Sequence, residues 1–381
     1  MARLVVVEDF AGPSVFRRGG QAMRVLQVIE GLRRLGHDVL LVEFVDDAPD
    51  PAAGAYFLEA LSGRWDPRRA AMLDASTGES YAGLTSEEVS AYARGADAVI
   101  ELAAHYRREP WPLLGAIRPR ILFEQDPGYT HLWAADGDPR DIFGEHDVHF
   151  TVGAGVGTPG NPIPTLGIAW RPLWPPVVLD WWPVAGTLRR DRFTTIGAWR
   201  DYGYLELDGE ILGPKVDEFE KFMDLPARAG EEIELTLAID DDDPDIDRLR
   251  AAGWRLEDPE LVATPELYRA YVAGSFGEFS CAKGGYVGTR SGWFSDRSAC
   301  YLAAGRPVVV QATGFEDLLP TGEGAFAVRD VDEAVAAMAE IRGDPDRHSR
   351  AARRLAEEHF DAERLLARML REAGLPERAG T

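Results

Sequence analysis

One stretch of the chain, from Arg290 to Gln311, combines residues that could hold a phosphate with the local order loop, helix, stop and strand. A glycine-containing turn leads into a predicted helix starting at Ser295, Gly305 ends it, and the apolar run Val308–Val310 follows. Free backbone N–H groups and the positive dipole end then point at whatever lies in front of the helix. With Arg290 and Arg297 at that end, a phosphate or diphosphate is the expected ligand. An ordinary αβ unit, in which Ser295 only caps the helix, is the open alternative.

The same stretch resembles the donor-nucleotide signature of GT-B-fold glycosyltransferases. Residues Gly292 to Ser295 match three of the four positions of the Gly-Trp-Asn-Ser core of UDP-glycosyltransferases, and the run from Gly305 to Asp317 resembles that family's Gly-x-Pro strand. Two departures are visible: Arg290 and Ser291 replace the usual His-Cys, and Ser298 stands where a ribose-binding Glu is expected. The resemblance implies an α/β, GT-B architecture, with two Rossmann-like domains facing across a cleft.

The donor side of the site is predicted from glycines and polar groups near strand ends. Gly197 follows a predicted strand, where a glycine lets the backbone approach a ligand. The Gly-rich run from Lys283 to Arg290 leaves N–H groups for an anion, although a surface loop is the alternative. The resemblance implies that Glu316 accepts hydrogen bonds from donor-sugar hydroxyls, against the alternative of an acid at a helix start. The full set of candidate substrate-binding residues is Gly19, Gly20, Gly197, Arg200, Lys283, Arg290, Ser291, Gly292, Ser295, Asp296, Arg297, Thr313, Gly314 and Glu316.

Candidate acceptor-activating groups lie at strand ends of the first half of the chain. Asp126 follows an apolar strand and precedes a Pro-Gly turn, which places it where ligands gather in parallel sheets. Glu8 and Asp9 end the first strand in the same way, and His131 is a further candidate. Any of these groups could take a proton from an acceptor hydroxyl if the reaction inverts the anomeric centre. In a retaining reaction, Asp126 would only orient the acceptor or cap the turn.

The acidic run Asp240–Asp243 could in principle hold a hard cation. Pro244 follows at once, and acidic residues are the ordinary solution at a helix start. The run also lacks the spacing of an EF-hand loop. We therefore predict a solvated turn, no metal site and no cofactor, with the nucleotide-diphosphate sugar as co-substrate.

Composition is typical of a folded enzyme. The 381 residues are 45% hydrophobic and 28% charged, and the formal net charge is −23. Such acidity disfavours bare nucleic acid and anionic membranes, so we predict no nucleic-acid partner and no stable membrane insertion. The resemblance implies a nucleotide-sugar donor and a small-molecule acceptor as partners. Two cysteines without metal spacing, and no apolar run long enough for a membrane span, predict a cytoplasmic protein. The oligomeric state is left open.

Alternating apolar strands and helices predict parallel sheets covered on both faces. A segment rich in proline and tryptophan, 155–192, marks the crossover between domains. The predicted division is an acceptor-side domain at 1–175, a linker at 176–191, a donor-nucleotide domain at 192–348, and a final helical segment at 349–381 that returns to the first domain. Residues 46–96 are predicted to be helical and polar.

These observations favour a glycosyltransferase of the hexosyltransferase type that works without a catalytic metal. Two alternatives remain open on the sequence. A nucleotide-sugar 2-epimerase of the same fold would bind the same donor but need no acceptor. A non-catalytic nucleotide- or carbohydrate-binding protein would bind without turnover.

Overall fold

A computed structural model describes residues 1–12, 17–45, 51–103, 114–184, 188–200 and 202–377. The first part of the chain builds an eight-stranded sheet of order β4-β3-β2-β1-β5-β6-β7-β8, parallel except for the β3–β4 pair. Its central strands are apolar and buried along nearly their whole length, as expected for a parallel sheet covered on both faces. The strands are β1 (Arg3–Val7), β2 (Asp38–Val45), β3 (Ala70–Asp74), β4 (Ser80–Gly83), β5 (Ala98–Glu101), β6 (Arg120–Glu124), β7 (Val148–Thr151) and β8 (Trp170–Pro172).

Five helices lie around this sheet. The longest is buried along most of its length because it packs against both the sheet and the second half of the chain. A capping box between Thr85 and Glu88 fixes the start of another, satisfying N–H groups that the first turn leaves without partners. The helices are α1 (Gly19–Arg34), α2 (Pro51–Leu61), α3 (Ser86–Ala93), α4 (Tyr129–Ala135) and α5 (Arg140–Phe143).

The second part of the chain builds a six-stranded parallel sheet of order β13-β12-β9-β14-β15-β16, with a separate hairpin inserted after its first strand. The hairpin strands are short, and one of them is buried only at Leu205. The strands are β9 (Arg190–Ala198), β10 (Leu205–Leu207), β11 (Glu210–Leu212), β12 (Ile233–Ala238), β13 (Trp254–Glu257), β14 (Ser275–Ser280), β15 (Val308–Gln311) and β16 (Ala325–Val328).

Nine further helices follow in the described part of this half. Most begin with a side-chain cap: Asp330, Asp344 and Asp361, for example, each accept a backbone N–H at the start of the last three helices. The helices are α6 (Lys215–Glu220), α7 (Leu225–Ala229), α8 (Asp245–Ala251), α9 (Pro265–Gly274), α10 (Gly284–Gly288), α11 (Asp296–Ala303), α12 (Val331–Gly343), α13 (Pro345–His359) and α14 (Ala362–Glu372). Short 3₁₀ turns lie at Pro67–Arg69, Leu179–Trp181, Pro259–Val262 and Phe315–Asp317.

The last helix lies against the first domain. Leu365, Leu366 and Met369 of α14 belong to the hydrophobic core under the first sheet. A methyl group added at Gly31 of α1 would lie 2.5 Å from Leu366, so this glycine permits the close approach of the two helices. The predicted boundaries of the four segments stay a prediction, and residues 185–187 of the predicted linker lie outside the described residues.

The linker is packed against both domains. The amide oxygen of Gln27, on α1, accepts hydrogen bonds from the backbone N–H of Val178 (3.2 Å) and from the indole of Trp182 (2.8 Å). Its amide nitrogen reaches the sulfur of Cys300, on α11, at 3.5 Å. One buried side chain therefore joins the first domain, the linker and a helix of the second domain.

The structure tests the predictions for residues 46–96 and for membrane-spanning helices. The prediction that residues 46–96 are helical is right for α2 and α3 but wrong between them, because β3 and β4 pair there as an extension of the first sheet. The Ala-rich sequence of β3 does not have the β-branched character of a typical strand, and pairing with β2 decides its conformation. Among the described residues, no helix is long and apolar enough to cross a membrane. The cytoplasmic location stays a prediction.

Candidate functional site

The carboxyl ends of the two sheets meet, and the loops after their strands contact each other directly. The backbone N–H of Gly155, after β7, donates to the carbonyl of Ser291 at 2.8 Å. The side-chain amide of Asn161 donates to the carbonyl of Arg290 at 2.9 Å. An isolated bridge also pairs Gly153 with Trp293. The loop before α11 therefore lies in the cleft, facing the first domain.

The glycine of the Gly-Trp-Phe-Ser segment is required by this close approach. Gly292 has φ +72, and an added Cβ would lie 2.4 Å from the backbone nitrogen of Gly155. Its N–H donates to the carbonyl of Thr313 (2.8 Å), whose hydroxyl in turn donates to the carbonyl of Trp293 (2.5 Å). The predicted residues Gly292 and Thr313 thus fix the shape of the loop that enters α11.

The start of α11 has the expected capping geometry. The Ser295 hydroxyl accepts the backbone N–H of Arg297 at 3.2 Å, and Asp296 is the first residue of the helix. Burial by itself would lower the pKa of the Arg24 guanidinium on α1, but the carboxylates of Glu8 and Asp296 raise it above its usual range. The helix start therefore lies near the carboxyl end of β1.

The structure does not place the Arg297 side chain in front of this helix. The guanidinium is buried and donates to Glu278 (2.5 Å), to the Ser280 hydroxyl (2.6 Å) and to the carbonyl of Ile196 (2.7 Å). Its donors therefore bind protein groups at the ends of β9 and β14. Arg297 thereby fixes α11 on the sheet, and its predicted contact with phosphate stays a prediction.

Arg290 also has protein partners. Its guanidinium contacts Asp317 at 2.7 Å and Glu316 at 3.4 Å, on the loop after β15. Glu316 accepts the N–H of Gly314 at 2.9 Å, and Gly314 has φ +95. Ser291 is buried, with its hydroxyl 3.4 Å from the carbonyl of Tyr286. Arg290 and the Glu316 loop are thus brought together, while Ser291 packs beneath them.

Arg200, which the sequence predicted to bind substrate, pairs with Asp243 (2.8 Å) and with Asp245, at the start of α8. A different cation, which the sequence interpretation did not identify, lies at the end of β9. Lys215, the first residue of α6, is buried, and its ammonium nitrogen lies 2.9 Å from the position of a Cβ added at Gly197. The predicted glycine therefore leaves room for a lysine at the centre of the sheet edge. No local signal marks Lys215, because the hairpin separates it from β9.

A narrow space lies between this sheet edge and the start of α11. Its lining combines polar side chains with aromatic rings. The residues that line it include Ser280, Ala282, Trp293, Ser295 and Gln311.

Asp126 lies at the end of β6 and reaches the second domain. Its carboxylate accepts the hydroxyl of Tyr286 at 2.6 Å and lies 3.8 Å from the ammonium of Lys283. The neighbouring Glu124 is fully buried, and burial raises the pKa of its carboxyl group to about 7 even though Thr151 donates to it. Lys283 thus faces Asp126 and three tyrosine rings rather than the start of α11.

The two acids after β1 are less accessible than expected. Glu8 is buried and pairs with Arg24 at 3.1 Å; burial raises the pKa of its carboxyl group. Asp9 lies beside Glu43 of β2, and burial together with the charge of Asp9 raises the pKa of Glu43 well above its usual range. Glu43 accepts the N–H groups of Ala11 (3.0 Å) and Gly12 (2.6 Å). These groups hold the loop after β1; residues 13–16 of that loop lie outside the described residues.

His131 does not face the cleft. Its ring is fully buried between Phe143 and Trp170, with centroids 5.4 and 4.6 Å away. Burial lowers the pKa of the ring to about 3, so the imidazole is neutral at physiological pH. We therefore correct this candidate base to a core residue of the first domain.

Gly19 and Gly20 pack against the second domain. A Cβ at Gly19 would lie 2.4 Å from the carbonyl oxygens of both Val262 and Thr264, and one at Gly20 would lie 3.0 Å from the ring of Tyr268. The pair therefore allows α1 to approach the start of α9. Substrate binding by Gly19 and Gly20 stays a prediction.

Comparison with solved structures places this geometry in a known fold. No protein-family model matches the chain, and no curated protein matches it in sequence. An alpha-glucosyltransferase in complex with UDP and mismatched DNA is similar at a TM-score of 0.61 and 11% identity, covering 98% of this chain and 100% of that one. Sucrose-phosphate synthase from Thermosynechococcus elongatus is similar at 0.58 and 13% identity, covering 97% of each chain. A glycosyltransferase of avilamycin A biosynthesis is similar at 0.56 and 12% identity, covering 98% and 97%.

The class defined by these similarities is the GT-B fold of glycosyltransferases, which confirms the predicted fold and resemblance. The chain has two parallel sheets that face each other across a cleft, and the similarity extends over nearly its whole length.

One expectation is overturned by the same comparison. The predicted exclusion of nucleic acid does not hold, because several of the similar alpha-glucosyltransferases were solved with DNA bound. Net charge was a poor guide here, since it averages over the whole surface, whereas an acceptor contacts only a small part of it.

Proposed function

We propose that the chain transfers a sugar from a nucleotide-diphosphate sugar to an acceptor hydroxyl in the cleft. The observation that carries the proposal is the start of α11: the loop that enters it contacts the residues after β7 through direct backbone contacts between the two domains. Structures of the same fold were solved with UDP or UDP-glucose. We therefore assign the donor to the second domain and choose UDP-glucose as the first donor to test.

The leaving diphosphate needs positive charge that is fixed before the reaction. The N-terminal end of α11 and the ammonium of Lys215 lie at the same edge of the second sheet. These groups support a reaction in which the protein itself neutralises the departing charge. We propose no catalytic metal and no cofactor besides the nucleotide sugar.

The acceptor belongs at the ends of β1 and β6. Asp126 is half-buried, with its side chain 15% exposed, and like Asp9 it stays a candidate after Glu8 and His131 are found to be buried. It can accept a hydrogen bond from an acceptor hydroxyl, either to orient it or to take its proton. We keep Asp126 as the acceptor-binding group of this proposal.

Incubation of the protein with UDP-glucose tests the proposal through release of UDP. The acceptor series should include mono- and oligosaccharides, aromatic alcohols and DNA that carries hydroxymethylated bases. We expect UDP release above the buffer rate, stimulated by one acceptor class and unaffected by EDTA. Binding of UDP without any release would instead support a binding protein, and an isomerised sugar nucleotide would identify an epimerase. Loss of activity in EDTA would refute the metal-free mechanism.

A further inference from the structure

Two side chains from the opposite domain contact the carboxylate of Asp126. The Tyr286 hydroxyl donates to Asp126 at 2.6 Å, and the Lys283 ammonium lies 3.8 Å from the same carboxylate oxygen. Both side chains come from the loop and helix after β14, whereas Asp126 follows β6. These three residues, which we call the interdomain clasp, join the ends of the two sheets.

The Lys283 ammonium is held in an aromatic cage that both domains build. Its nitrogen lies 3.4 Å from the ring centre of Tyr202, 5.6 Å from that of Tyr286 and 5.7 Å from that of Tyr129. Tyr129 belongs to the first domain, and Tyr202 precedes the hairpin of the second. Cation–π attraction strengthens when the ammonium is removed from water, and the Lys283 side chain is only 12% exposed. Separating the domains would therefore remove Tyr129 and Asp126 from the ammonium and leave it more exposed.

The clasp is continuous with the donor side of the cleft. The ring of Tyr286 stacks on Trp293, with centroids 4.4 Å apart and planes at 17°. Trp293 belongs to the loop that enters α11, and the N–H of Ser291 donates to the carbonyl of Tyr286 at 3.2 Å. A shift of that loop on donor binding would therefore be transmitted to the hydroxyl that contacts Asp126.

We propose that Tyr286 and Lys283 are positioning residues that close the cleft and hold Asp126 in place for the acceptor. The closure part of this proposal is argued from the contacts of the clasp and does not depend on the proposed function. The consequence for turnover rests additionally on the proposed function, through the role given to Asp126. Two measurements separate these parts.

The first measurement follows the distance between the domains without any ligand. Spin labels at cysteines replacing Leu58, on α2, and Leu318, after β15, sit at exposed positions on opposite domains, and both natural cysteines are buried. We expect one narrow distance distribution in the otherwise unchanged protein, and a longer, broader one in Tyr286→Phe and Lys283→Met.

Matched controls remove the same chemical groups elsewhere. Tyr204→Phe removes an exposed hydroxyl, and Lys221→Met removes an exposed ammonium of the same domain. Both controls should keep the narrow distribution. The closure proposal is overturned if the clasp variants keep it too, or if the controls broaden equally.

The second measurement uses UDP and UDP-glucose. Tyr286→Phe should leave the dissociation constant of UDP within about twofold and lower kcat for UDP release about tenfold to a hundredfold, the effect expected for losing a hydrogen bond to a charged group. In an Asp126→Ala background, the same substitution should change kcat less than about twofold, because its effect acts through Asp126. An undiminished effect in that background would overturn the positioning role. Absence of UDP binding in all variants would instead refute the proposed function, and the distance measurement would still decide the clasp.

Discussion

At the scale of single residues, buried charges organise the cleft. Arg297 and Glu278 form an ion pair at the end of β14, where the Glu278 side chain is fully buried and that of Arg297 is 12% exposed. Removing water from two charges is costly, and only close pairing with further hydrogen bonds offsets the loss. Ser280 and the carbonyl of Ile196 supply those additional bonds. The pair therefore fixes the first turn of α11 against the sheet.

Replacing Arg297 by Ala should therefore lower the stability of the protein. The substitution leaves the carboxylate of Glu278 buried without its partner, and we expect the free energy of unfolding in urea to fall by about 3–5 kcal/mol. Arg290→Ala is the matched control: its ion pairs with Glu316 and Asp317 are half exposed, and the expected loss is about 0–1 kcal/mol. Equal stabilities of the two variants would show that the Glu278 pair does not hold the helix.

His131 gives a pH-dependent prediction. Its pKa in the folded protein is lowered to about 3 by burial, against about 6.5 in an unfolded chain. The stability that this neutral ring contributes is present above about pH 6.5 and is lost as the pH falls below it, because the unfolded state then binds the additional proton. Relative to His131→Phe, which does not titrate, the wild type should lose about 1–2 kcal/mol of unfolding free energy between pH 7 and pH 5. Parallel pH profiles of the two proteins would contradict this assignment.

At the scale of elements, the sequence was informative wherever a strand is a continuous apolar run. The runs in β1, β2 and β15 predicted buried strands because their own residues carry the signal. β3 and β16 were missed because they are short and alanine-containing, so that pairing with a neighbouring strand decides their conformation.

The candidate site was harder to predict for the same physical reason. The glycine turn and Ser295 cap depend on local geometry, and the local sequence indicated both. The partners of Arg297 and Lys283 come from distant strands or from the other domain, so residue type and spacing carried no information about them. Lys215 was missed because the hairpin of β10 and β11 separates it in sequence from the end of β9, where its side chain lies.

The start of α1 is an element-scale test of how closely the domains pack. Gly19→Ala would bring a methyl group into the carbonyl oxygens of Val262 and Thr264, which are backbone atoms that cannot rotate away. We expect a loss of about 1–3 kcal/mol in unfolding free energy, typical of overpacking. Gly343→Ala, where no atom lies within 4 Å of the added methyl, is the matched control and should be neutral or slightly stabilising. A neutral Gly19→Ala would mean that α1 and α9 are farther apart in solution.

At the scale of the whole molecule, the chain is a two-sheet protein whose halves are joined at several places in the described residues. The linker passes between them, α14 returns to the first core, and the clasp connects the sheet edges. This arrangement leaves the strand ends as the place where a donor on the second domain and an acceptor on the first can meet. The fold is shared with glycosyltransferases that have only 11–13% identity to this chain. Because a fold alone does not define a function, the proposed function depends on the residues of the site.

The most direct test of nucleotide binding at this site is a calorimetric titration with UDP. We expect saturable binding to the wild type, and at least about tenfold weaker binding to Lys215→Met, which keeps the side-chain length but removes the charge at the end of β9. Lys221→Met, with an exposed ammonium on the same helix–turn segment, should bind UDP like the wild type. An absence of UDP binding to the wild type, or equal affinity of the wild type and Lys215→Met, would contradict the assignment of the nucleotide to this edge of the second sheet.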